Sequence, residues 1–200
     1  MTDRLSATPD GLARAAEFLD AGLIVAFPTD TVYGVGVAAS HPQRVDALFA
    51  LKARPVDRRI PILVADVAQV VDAGWEVDER ARGLADRFWP GALTLVLPRS
   101  GATQAFRVPD HPVALDLIRR AGPLFATSAN VSDEPDTLGA DEVLIAFATR
   151  QDDLAAVVDG GPVPGGVAST VLDLSVSPAR VLRQGPLAVE ALRELIEVSD

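Results

Sequence analysis

The chain has 200 residues, 48% hydrophobic but only 5% aromatic, with no cysteine, a formal net charge of −10 and an isoelectric point near 4.6. That length and apolar content suit one domain spanning 1–200, with a core of Val, Leu, Ile and Ala as in an α/β protein with buried strands. A chain without cysteine has no disulfide framework, thiolate nucleophile or cysteine-ligated zinc, and its acidity argues against broad binding to nucleic-acid backbone.

Thr8-Pro9 reads as a helix start, a hydroxyl cap followed by proline at the first helical position, and Leu12, Ala15, Ala16 and Leu19 recur at helical spacing before Gly22. The apolar run Leu23 to Phe27 predicts a buried strand that delivers the chain into the polar cluster Pro28 to Gly36, at the strand end where open α/β sheets place ligands. A second helix is expected from His41-Pro42 through Val45, Leu48 and Phe49, stopping before Pro55 with Lys52 and Arg54 aimed into a loop. Ile60 to Val64 is the next strand, Asp66 caps a short helix, and a longer helix from Asp78 carries Leu84 and Phe88 to a stop at Trp89-Pro90-Gly91. Strands follow at Ala92 to Leu97 and at Thr103 to Val108, the latter read as an edge strand with Arg107 in it. Asp110-His111-Pro112 starts a helix bearing Val113, Leu117 and Ile118. Pro123 to Ala126 returns as a strand ending in the polar run Thr127 to Asn130. A helix at Asp141 to Phe147, strands at Leu154 to Val158, Thr170 to Leu174 and Arg180 to Leu182, the glycine-rich loop between Asp159 and Ser169, and a last helix from Leu187 complete the chain. No apolar run approaches the roughly 20 residues of a membrane span, and Met1 to Ser6 has no leader character, so a cytoplasmic protein is expected.

The most unusual stretch is Leu51 to Arg59. Lys52 is the only lysine among eighteen basic residues, and with Arg54, Arg58 and Arg59 it concentrates cations in an otherwise acidic chain. A compact ammonium cannot be imitated by a planar guanidinium, and local positive charge suits a phosphorylated small molecule; a solvated helix end is the plainer reading. Other chemistries fit less well. Gly34 to Ala39 resembles a loose dinucleotide fingerprint but lies too far past the strand end. His41 and His111 each precede a proline at a helix start and read as caps. Ser128 and Ser169 lack a histidine placed to activate them, as a serine hydrolase would need. The glycine-rich loop has no Gly-Lys-Ser/Thr, and reads equally as a phosphate cradle or a surface loop. What remains is hydroxyls, amides and cations at strand ends, a set that stabilises charge without a covalent nucleophile, as nucleotidyl transfer requires.

Seven collinear motifs carry a resemblance. Pro28-Thr29-Asp30-Thr31-Val32-Tyr33-Gly34, Lys52-Ala53-Arg54-Pro55, Trp89 to Thr94, Arg107 to Pro112, Thr127-Ser128-Ala129-Asn130, Ser169-Thr170-Val171 and Arg183-Gln184-Gly185 are similar to successive signatures of the YrdC/TsaC family of threonylcarbamoyl-AMP synthases, over about residues 12–187. The resemblance implies a twisted, mostly mixed sheet with flanking helices around a deep, positively charged cleft. It also implies a reaction in which L-threonine, bicarbonate and ATP, the last carried with Mg2+, give threonylcarbamoyl-AMP and pyrophosphate. Downstream transfer proteins then place the threonylcarbamoyl group on a tRNA adenosine. Carried onto this chain, the pattern puts Lys52 and Arg54 at the catalytic triphosphate region with Ser128 and Asn130. Thr103, Asp136 and Arg183 fall at further ATP positions; Thr29, Tyr33, Arg107, Ala126 and Ser169 fall on the threonine side. No dedicated metal site is implied. Asp133, Asp136 and the short loop between Pro98 and Thr103 depart from the pattern, and the chain resembles the short form without a second domain. Any contact with tRNA or double-stranded RNA would be local, and two alternatives stay open: a carbamoyl-adenylate-forming module acting on another acceptor, and a non-catalytic double-stranded-RNA-binding or ribosome-assembly protein.

Overall fold

The computed structural model describes residues 2–53, 60–132, 134–150 and 153–199. In chain order it contains β1 (Asp3–Ser6), α1 (Pro9–Asp20), β2 (Ile24–Pro28), β3 (Tyr33–Ala38), a 3-10 turn at Pro42–Arg44, α2 (Val45–Leu51), β4 (Ile62–Leu63), α3 (Val67–Asp72), α4 (Glu79–Phe88), β5 (Leu93–Arg99) and β6 (Ala102–Arg107). There follow α5 (Pro112–Ala121), β7 (Leu124–Ser128), α6 (Ala140–Ala146), a second 3-10 turn at Ala148–Arg150, β8 (Leu154–Asp159), β9 (Thr170–Asp173), β10 (Ala179–Arg183), α7 (Val189–Arg193) and β11 (Val198–Ser199).

The helix starts follow the residues that announce them. Thr8 accepts the Gly11 N–H and precedes Pro9 in α1, whose buried face is Leu12, Ala15, Ala16 and Leu19. Asp66 and Asp78 cap α3 and α4 in the same way, through the N–H groups of Gln69 and Ala81. No described helix is long and apolar enough to cross a membrane.

The strands form one mixed sheet in the order β1-β8-β2-β3-β7-β4-β6-β5-β9-β10-β11. Its two halves meet at β4, which is two residues long. Ile62 and Leu63 pair antiparallel with Phe125 and Leu124 on one side, and parallel with Phe106 and Arg107 on the other. In the first half, α1 and α5 cover one face and α2 and α6 the other, giving two apolar clusters. In the second half, Leu93, Leu95, Leu97, Phe106 and Leu172 pack with Leu84 of α4 and Leu192 of α7. Strand periodicity sends the alternate residues Thr94, Val96, Ala105, Arg107 and Val171 the other way, into a cavity.

Several expectations change. The Thr103 to Val108 segment is no edge strand, since β6 is paired on both sides, by β4 and β5. Thr103 and Arg107 face the cavity, whereas Gln104 donates to the Ile60 and Ala105 carbonyls. The segment read as a loose dinucleotide fingerprint is the buried strand β3, and β1 and β11 were not anticipated. The second helix opens as a 3-10 turn and becomes α-helical only from Val45. Arg54, Pro55, Asp57, Arg58, Arg59 and Asp133 lie outside the described residues.

Candidate functional site

The cavity on the open face of the sheet has a volume of about 430 Å3 and takes its walls from positions as far apart as Thr29 and Arg183. That is within the ordinary range for small-molecule sites. Of the residues singled out in the sequence, Thr29, Thr103, Arg107 and Ala126 line it, as do Ser128, Ser169 and Arg183.

Arg107 is only 7% exposed, and its guanidinium is held from three directions. Nε donates to the Gly91 carbonyl at 2.9 Å, Nη1 to Thr31 Oγ1 at 3.1 Å, and Nη2 to Asp30 Oδ1 at 2.6 Å. Burial pushes the Arg107 pKa down, and the Asp30 charge and hydrogen bond pull it back up. The contacts continue as a directed chain. Thr29 Oγ1 donates to the Val32 carbonyl at 2.6 Å, so the 3.1 Å contact between the two threonine hydroxyls runs from Thr31 to Thr29. The turn after β2 thus orients Arg107 through a sequence of hydroxyls.

On the neighbouring β5 and β9 side, Ser169 Oγ lies 2.7 Å from Thr94 Oγ1 and accepts from Arg183 Nη2 at 3.3 Å. Arg183 also donates to the Ser169 carbonyl through Nε at 3.0 Å and Nη2 at 2.8 Å. Burial lowers the Arg183 pKa, the nearby Arg107 charge lowers it further, and Asp136 opposes both. The two arginines therefore sense one another within the one cavity they both line, and Asp136 lies within electrostatic reach of the second.

Lys52, Asn130, Tyr33 and Asp136 are not among the lining residues. Lys52 is 3% exposed, and its Nζ donates to the Ser128 carbonyl, the Asn130 carbonyl at 2.7 Å and Asn130 Oδ1 at 3.0 Å. It stands behind the loop after β7, where a side chain aimed into an open loop had been expected. Asn130 is tied down as well, donating from Nδ2 to the Glu134 carbonyl at 2.6 Å and accepting from Ser128 Oγ at 2.7 Å. Tyr33 points to the other face of β3 from Gly34. Its ring joins an apolar cluster while its hydroxyl donates to the Gly161 carbonyl at 2.8 Å and accepts the Gly160 N–H at 3.3 Å. In this position it anchors the glycine-rich loop, and burial raises its pKa.

Four residues that shape the site were not singled out one by one: Asp30, Thr31, Thr94 and Asp173. The first two sit inside the polar cluster after β2, where the signal was visible as a group. Thr94 and Asp173 could have been found by extending strand alternation from Arg107 and Ser169. The charged groups of the described lining are Arg107, Arg183 and Asp173, with Asp30 directly behind the first. The described lining thus carries two cations against one anion, and the further cations expected at Arg54, Arg58 and Arg59 lie outside the described residues. Among the described residues no group of three or more His, Cys, Asp or Glu is placed to hold a metal.

A family model described as "Telomere recombination", covering Sua5, YciO and YrdC, matches residues 17–185. The chain is 40% identical to the threonylcarbamoyl-AMP synthase of Bacillus subtilis over 98% of its own length, and 40% identical to that of Pyrococcus abyssi over 91%. It spans only 59% and 56% of those two proteins. Among solved structures, P. abyssi Sua5 complexed with L-threonine superposes with a TM-score of 0.89 at 36% identity, covering 100% of this chain and 62% of that one. E. coli YciO shares the fold, with a TM-score of 0.83 at 21% identity over 96% of this chain and 100% of the other.

Proposed function

We propose that this chain, which belongs to the Sua5/YciO/YrdC family, makes threonylcarbamoyl-AMP and pyrophosphate from L-threonine, bicarbonate and ATP. The observation that carries the reading is the meeting of Thr29, Arg107, Ser169 and Arg183 in one cavity beside the Ser128 to Asn130 loop. Arg107 keeps one uncommitted N–H on each terminal nitrogen, suited to the threonine carboxylate. Thr29, Ser169 and the backbone at Ala126 complete the threonine side, with Tyr33 supporting it through the loop it anchors. ATP lies toward Thr103, Ser128, Asn130, Asp136 and Arg183, with Arg54 completing the phosphate end. All three Lys52 donors are engaged by the Ser128 and Asn130 oxygens, so its charge acts on the nucleotide through the loop it organises. Magnesium arrives with the phosphates, as is usual for an ion that keeps most of its waters.

In the reaction, the threonine amine and bicarbonate condense to a carbamate with loss of water. A carbamate oxygen then attacks the α-phosphorus, the bond to the β-phosphate bridging oxygen breaks, and pyrophosphate leaves. No side chain becomes covalently modified, so positioning and charge stabilisation supply the rate. The adenylate then passes to downstream proteins that modify tRNA in the cytoplasm. The test is mass-spectrometric detection of threonylcarbamoyl-AMP from purified protein supplied with the three substrates, beside Lys52→Ala, Arg54→Ala and Arg107→Ala. Product from the wild type and its loss in the variants is the expected result; a wild type that binds ATP and threonine but makes no adenylate overturns the proposal.

A further inference from the structure

Asp30 does not line the cavity, yet it makes the shortest hydrogen bond to Arg107, one of the two arginines that do, with Nη2 at 2.6 Å from Oδ1. Both partners are largely withdrawn from solvent, with side chains 9% and 16% exposed. In such surroundings a charge is felt strongly and screened weakly. An unpaired guanidinium there would attract any anion in proportion to the anion's charge, and a polyphosphate would outcompete a carboxylate. Paired with Asp30, the same guanidinium presents a reduced charge to the cavity and keeps its directional N–H donors. A ligand is then chosen by hydrogen-bond geometry. An amino acid at neutral pH is a zwitterion, and a site made of a cation backed by an anion matches it in net charge.

We infer that Asp30 is a specificity-determining residue, which by offsetting the Arg107 charge makes this end of the cavity accept a zwitterionic amino acid and refuse polyphosphate anions. The inference rests on the proposed role of Arg107 as the partner of the threonine carboxylate. It explains how one cavity holds both an amino acid and a highly charged nucleotide without the two exchanging places. Among the described residues no carboxylate is hydrogen-bonded to Arg183. It donates to oxygens of Ser169, and the Asp136 charge acts on it at longer range. The polyphosphate is thereby drawn to the Arg183 side.

The experiment compares Asp30→Asn, which keeps size and an acceptor oxygen but removes the charge, with Asp30→Glu, which keeps the charge. At saturating ATP, Asp30→Asn raises the threonine KM by at least about tenfold and turns inorganic pyrophosphate into a competitive inhibitor against threonine; a unit charge removed at contact range is worth more than one decade. Asp30→Glu restores the wild-type inhibition pattern in large part. A purely structural role would lower the melting temperature and all kinetic constants together without changing the mode of inhibition, and that outcome overturns the inference. So does an Asp30→Asn enzyme with wild-type threonine KM and no competition by pyrophosphate. Arg107→Ala separates the two layers: if it leaves the threonine KM unchanged, the underlying site reading fails, whereas a large effect there with none at Asp30 defeats only the inference.

Discussion

Lys52 donates to both oxygens that Asn130 offers, the backbone carbonyl at 2.7 Å and Oδ1 at 3.0 Å. The ammonium thereby joins the end of α2 to the loop that carries Ser128 and Asn130. Lys52→Ala leaves buried carbonyls without a donor, a loss on the order of 3 kcal/mol. Lys52→Arg does not rescue it, because a flat guanidinium cannot direct three donors to these oxygens. Thermal unfolding checks the first statement, with a drop of roughly 10 °C expected for a protein of this size. Turnover of the folded fraction checks the second, with both variants expected far below wild type.

Ser169 joins Thr94 to Arg183 through a single hydroxyl. Ser169→Ala removes two side-chain hydrogen bonds but leaves the carbonyl contacts of Arg183 in place. The expected loss of stability is about 1 kcal/mol, small beside a rise in threonine KM of roughly tenfold. Steady-state kinetics with threonine varied at saturating ATP, beside a urea unfolding curve, would show whether binding is affected more than folding.

Gly36 is required by the close approach of two strands. A Cβ at this position would lie 2.6 Å from the Phe125 carbonyl oxygen and 3.1 Å from Ala126 Cβ, so β3 and β7 would have to part. Gly36→Ala is expected to destabilise by about 2–3 kcal/mol, visible as a lower denaturation midpoint. Gly83→Ala, where nothing lies within 4 Å, is the control and should be neutral or slightly stabilising.

His111 has a buried Nδ1 with no hydrogen-bond partner among the described residues. Burial lowers its pKa below the usual 6.5, and the carboxylates of Asp30 and Asp110 oppose that shift less strongly. The unfolded chain therefore takes up a proton before the folded one does. The resulting contribution to stability is complete above 6.5 and is lost as the pH falls from there through the lowered folded value. Melting temperatures measured about one pH unit above and about one below that value should differ less in His111→Asn than in the wild type; an equal difference in both proteins would rule out this residue as the source.

Much of the architecture was legible. Capped starts such as Thr8-Pro9 and Asp78, and uninterrupted apolar runs such as Leu23 to Phe27, give local signals that the surroundings do not override. β3 was hidden because Gly34 and Gly36 weaken the strand pattern, and the reason for Gly36 lies in β7, some ninety residues further along the chain. β6 was taken for an edge, whereas it is paired on both sides and Thr103 and Arg107 face a cavity. The site was legible as clusters at strand ends, and Thr29, Arg107, Ser128, Ser169 and Arg183 do meet. The partnerships were not legible. That Asp30 would face Arg107, or that Lys52 would be buried against Asn130, depends on how β2, α2, β6 and β7 are brought together.

The two halves of the sheet communicate through a two-residue strand, with Ile62 and Leu63 as the seam and the cavity beside it. Ser128 and Ala126 stand on one side of the seam; Arg107, Ser169 and Arg183 stand on the other. A molecule seated between them acts as a rivet across the narrowest join in the fold, adding cross-ties where the backbone supplies few. Occupancy should therefore slow amide exchange at β4 and at its neighbours β6 and β7 more than at the distant edges β1 and β11.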